Sequence, residues 1–113
     1  MSGIIEDRGL STAALEWRAT RKGFVIQIVG IDHQAEFVIK PDDVDTATRL
    51  VRDMMEGNVL DVKGRLIIAP ALGELPEGIF LFIIMINDTF FVVSADTLLM
   101  VARDLAKYFE LDT

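Results

Sequence analysis

The sequence predicts an α+β domain of two layers, a mainly antiparallel sheet with helices packed on one face, in which a strand–hairpin–helix unit is used twice. Three observations carry this expectation. Hydrophobic residues make up 51% of the 113 residues, enough to build a core in one domain spanning 1–113. Two runs rich in β-branched and aromatic residues are each followed by a segment with helical apolar spacing. The two halves, about 4–56 and 59–110, also align with one another.

The elements follow in order. Ser11–Lys22 slightly favours a helix, because Ala, Leu, Glu and Arg are good formers. The alternative is a strand that places Leu15, Trp17 and Ala19 on one face. Residues 24–31 and 37–39 read as strands joined by a short loop at Asp32–Ala35. Pro41, which lacks the N–H a ladder needs, stops the second. A helix follows over 43–56. Asp42 is its expected N-cap, Asp43 and Asp45 complement the first turn, and Gly57-Asn58 is the stop. Val44, Ala47, Val51, Met54 and Met55 form its apolar face. Residues 59–69 read as extended with a bend at Lys63-Gly64, and 70–78 as a loop with two prolines and two glycines. Ile79–Ile86 and Thr89–Val93 make a hairpin whose Asn87-Asp88 turn suits positive φ at both positions. The last helix covers 96–110, capped by Ser94 or Asp96, with Leu98, Val101, Ala102, Leu105 and Phe109 as its stripe.

The internal repeat rests on an offset of 55 residues. It brings Ile4-Ile5-Glu6 onto Val59-Leu60-Asp61, Arg8-Gly9 onto Lys63-Gly64, Gly23 onto Gly78 and Ile28 onto Ile83. With one residue dropped in the hairpin loop, Phe37-Val38-Ile39 meets Phe91-Val92-Val93, Asp42 meets Asp96 and Glu56 meets Glu110. Two strand–strand–helix units also share a pattern through shared physics, so the coinciding glycines and caps are what favour duplication.

Charge and composition exclude several function classes. Eighteen acidic against 11 basic residues give a net charge of −7, which repels nucleic acid and anionic membranes. The densest cationic group, Arg18, Arg21 and Lys22, is too small to track phosphates. There is no cysteine, hence no disulfide, thiolate catalysis or Cys-type zinc site. The N-terminus lacks the features of a signal peptide, and Ile79–Ile86 is too short to span a bilayer. The expected location is the cytoplasm.

No catalytic set emerges, and neither a cofactor nor a metal site is expected. His33, the only histidine, sits beside Asp32 and near Glu36, but no nucleophile accompanies it and an exposed turn residue is the simpler reading. Asp42, Asp43 and Asp45 lack the spacing of a calcium loop and are explained by helix capping. Glu6-Asp7 and Glu74 with Glu77 read as solvated carboxylates, and Ser11-Thr12 as a helix cap. Trp17 and Tyr108 suit half-buried packing, and Met54, Met55 and Met100 core filling.

In size, acidity and a closing amphipathic helix the chain resembles the dimeric chaperones of bacterial type III secretion. The strand order around the middle helix departs from that family, and no residue is carried over from it.

Ile79–Ile86 is apolar at every position, so both of its faces want cover. One set, such as Phe80, Phe82, Ile84 and Ile86, can meet the helices, and the other then points away. The candidate interface residues are Ile79, Leu81, Phe82, Ile83 and Met85. The expected function is a non-enzymatic protein-interaction module of the adaptor, chaperone, inhibitor or immunity type, acting as a homodimer and binding another protein. A small-ligand-binding or sensing domain is the alternative, and a hydrolase or isomerase using Asp32-His33 the third.

Overall fold

The computed structural model describes residues 2–6, 14–30, 34–71 and 81–111. It is an α+β fold of two antiparallel four-stranded sheets and two helices. The first sheet, sheet A, runs in the order β1 (Ser2–Glu6), β2 (Ala14–Thr20), β3 (Gly23–Val29) and β4 (Gln34–Ile39). Helix α1 (Val44–Glu56) follows it. Sheet B comprises β5 (Leu60–Val62), β6 (Leu66–Pro70), β7 (Leu81–Ile86) and β8 (Thr89–Ser94), again in sequence order, and leads into α2 (Ala95–Tyr108). The strands expected in one sheet are thus divided between two.

Residues 14–20 form a strand, not a helix. Propensity loses here to tertiary packing. As part of β2, Leu15 and Trp17 point to the same side and are fully buried, whereas a helix would turn them apart. Ala19, the third member of that face, stays exposed. Residues 11–13 lie outside the described residues.

Register explains the core. Leu15, Ile28 and Ala35 lie side by side across sheet A, as do Trp17, Ile26 and Phe37. In sheet B the corresponding rows are Leu60, Ile68, Ile84 and Phe91, and Val62, Leu66 and Ile86. These side chains join the buried faces of both helices in one cluster. The helices are shared between the halves. Trp17 Nε1 of sheet A donates to Asp104 Oδ2 of α2 at 2.8 Å, and Tyr108 Oη of α2 donates to the Thr20 carbonyl at 3.0 Å. Arg49 of α1 in turn donates to the Asp61 carbonyl of β5 at 3.1 Å. The two sheets meet where β3 and β4 approach β8 and β7.

The helix ends differ in detail from expectation. Asp43, not Asp42, caps α1, accepting the Thr46 N–H at 3.2 Å. Gly57 stops it at φ 72°. Val44 and Met55, expected on the apolar face, are exposed, while Leu50 and Asp53 are buried. Asp53 is held by Arg49, Arg52 and Asn58. Ser94 caps α2.

The turns are equally specific. Lys63 and Gly64 both take positive φ between β5 and β6, whereas in the Asn87-Asp88 turn only Asn87 does. Gly23 is obligatory: at φ 140° a Cβ would come within 2.2 Å of the Ile39 carbonyl oxygen.

Both halves have four consecutive antiparallel strands and then a helix. The offset read from the sequence does not carry through, however. Phe37 and Phe91 both face the core, but their neighbours in β3 and β7 are Ile26 and Ile84. Pairing Ile28 with Ile83 therefore matches a buried residue with one on the outer face. The cause is loop length, since β3 and β4 are joined by a longer connection than β7 and β8. Gly78 lies outside the described residues.

Candidate functional site

The period of two along each strand sends alternate residues to the face of sheet B away from the core. On that face register builds three rows. Asp61, Ile67, Met85 and Phe90 form the first; Ala69, Ile83 and Val92 the second; Leu81 and Ser94 the third. Among these, Phe90 is 63% exposed and Val92 46%, while Ile67, Leu81, Ile83 and Met85 are half-buried. Asp61, on the edge strand β5, is the one charged side chain in the rows. Its Oδ1 accepts the Gly64 N–H at 2.8 Å.

The candidate interface residues divide along this alternation. Leu81, Ile83 and Met85 lie on the outer face. Phe82 does not: it is buried in the core with Ile84 and Ile86, and its ring lies against Gly57, where an added Cβ would meet it at 3.5 Å. Ile79 and Phe80 are outside the described residues. Sequence reasoning missed Ile67, Ala69, Phe90 and Val92. The signal was present in Phe90-Phe91-Val92-Val93, where alternation must put one Phe and one Val outside, although which pair is decided by pairing with β7.

The other singled-out residues do not converge. Asp32, His33, Asp7, Glu74, Glu77, Ser11 and Thr12 lie outside the described residues. Glu36 is exposed on β4, and Asp42, Asp43 and Asp45 are exposed at the start of α1. Arg18, Arg21 and Lys22 are exposed at and beside the β2–β3 turn. Met54 is in the core, whereas Met55 and Met100 are exposed. Trp17 is fully buried rather than half-buried. Among the described residues no group of three or more His, Asp or Glu side chains is placed to hold a metal ion. Among them, too, no helix is long and apolar enough to cross a membrane.

Comparison with protein-family models, with curated proteins and with solved structures finds no significant match.

Proposed function

We propose that this chain is a non-enzymatic protein-interaction module that acts as a homodimer through the outer face of sheet B. The observation that supports this reading is the unbroken apolar surface of Ile67, Ile83, Met85, Phe90 and Val92 on a chain of net charge −7. Fully burying such a side chain is worth roughly 1.5–3 kcal/mol, of which the exposed Phe90 and Val92 forgo the larger part and the half-buried Ile67, Ile83 and Met85 a smaller one. Selection for solubility alone disfavours such a face. Strand spacing of ~4.8 Å and a rise of ~3.3 Å per residue give the face an area on the order of 400 Å². A standard interface takes about 800 Å² per partner. The face is smaller than that, in the size range of weak, transient associations.

Sedimentation equilibrium across the micromolar range tests the reading. The wild type should pass from monomer to dimer, and Ile83→Lys should remain monomeric with unchanged circular dichroism. A folded Ile83→Lys protein that dimerises like the wild type would refute it.

A further inference from the structure

We infer that two copies pack face to face about a twofold axis running parallel to the strands of sheet B, with charged corners of the face pairing across the interface. This rests on the homodimer reading above and adds its orientation and its specificity.

The β5–β6 and β7–β8 turns lie at the same end of sheet B. Leu66 pairs with Ile86, and the Asn87 N–H donates to the Arg65 carbonyl at 2.9 Å. The β5–β6 corner carries Lys63 and Arg65, and the β7–β8 corner carries Asp88, all three exposed. Asp61 belongs to the first corner, leaving it with one net positive charge against one negative charge across the sheet. Among the described residues the ion pairs are those of Asp53 with Arg49 and Arg52. Lys63, Arg65 and Asp88 form none there.

A twofold axis along the strands keeps each end of the sheet in place and exchanges its sides. The Lys63/Arg65 corner of one copy then faces the partner's Asp88, and the contact occurs twice. The strand-parallel axis also lays β6 over the partner's β7. Ala69 and Ile83 share a row, so the small side chain of each copy meets the large one of the other, as close packing requires. Near-parallel strands are a usual arrangement for stacked sheets. The charge pattern is therefore self-complementary, and the occupant it fits is a second copy of this chain.

Mixing two charge-reversed variants tests this. Arg65→Glu alone places like charges at both contacts of a homodimer, as does Asp88→Lys alone. Each should dimerise about tenfold more weakly than the wild type at low salt. In an equimolar mixture both contacts of the heterodimer have opposite charges, so affinity should return to the wild-type value. Recovery in the mixture also shows that both variants are folded and that the pairing is between chains. If the mixture dimerises no better than either variant while Ile83→Lys remains monomeric, the axis is wrong and the interaction surface stands. If the wild type is monomeric throughout, both fall.

Discussion

The outer faces of the two sheets share a topology and differ in chemistry. Sheet A presents Glu16, Arg18, Gln27, Gln34 and Glu36 outward, with Val25 and Val38 between them. Its central Gln27 is buried and donates from Nε2 to Glu16 Oε2 at 2.7 Å. Sheet B presents Ile67, Ile83, Met85, Phe90 and Val92 in the equivalent layer. The core faces of both sheets are uniformly apolar, because folding demands it of each. Folding makes no such demand on the outer faces. On the homodimer reading proposed above, this divergence follows from the face of sheet B being the one that meets a partner.

Substitutions that separate inner from outer residues on a single strand should have the largest effects. Phe82→Lys places an unpaired charge in the core and should cost more than about 4 kcal/mol, so that the chain no longer folds. Met85→Lys, three residues along and on the opposite face, should fold and lose only self-association. Ile84→Ala should cost about 2–5 kcal/mol by urea unfolding. Comparable unfolding of Met85→Lys would erase the distinction between the faces.

Next in size is the link between sheet A and α2. Trp17→Phe removes the donor to the part-buried Asp104 carboxylate and should cost about 1.5–3 kcal/mol. A loss within experimental error would mean that this contact adds nothing to the docking of α2 on sheet A. The two helix caps should then be equivalent, with Asp43→Ala and Ser94→Ala each costing about 1 kcal/mol. The smallest effect belongs to the polar face: Glu36→Ala should change stability by less than about 0.5 kcal/mol and leave self-association untouched.

Much of this was legible in the sequence, and the failures have physical causes. Helix spans and stops were readable because Gly57 and Ser94 act locally, although the N-cap of α1 falls at Asp43, one residue beyond the expected Asp42. The Lys63-Gly64 turn was readable for the same reason. Residues 14–20 were misjudged because the good helix formers Ala, Leu, Glu and Arg there carry an alternation that only neighbouring strands enforce. The division into two sheets is likewise a long-range outcome that no local pattern records. Part of the candidate surface, Leu81, Ile83 and Met85, was visible as a strand apolar on both faces. Ile67, Phe90 and Val92 were not, because their direction depends on the register of β6 and β8 against β7.

The most direct test of the claim that sheet B, not sheet A, carries the interaction uses the absence of native cysteine. Val92 on β8 and Val38 on β4 occupy equivalent edge strands and are 46% and 37% exposed. Single Val92→Cys and Val38→Cys proteins can be labelled with a maleimide at rising protein concentration. Labelling at residue 92 should slow as dimers form, while labelling at residue 38 should keep its dilute-solution rate. Equal rates at both positions across the concentration range, or protection at residue 38 alone, would contradict an interface on sheet B.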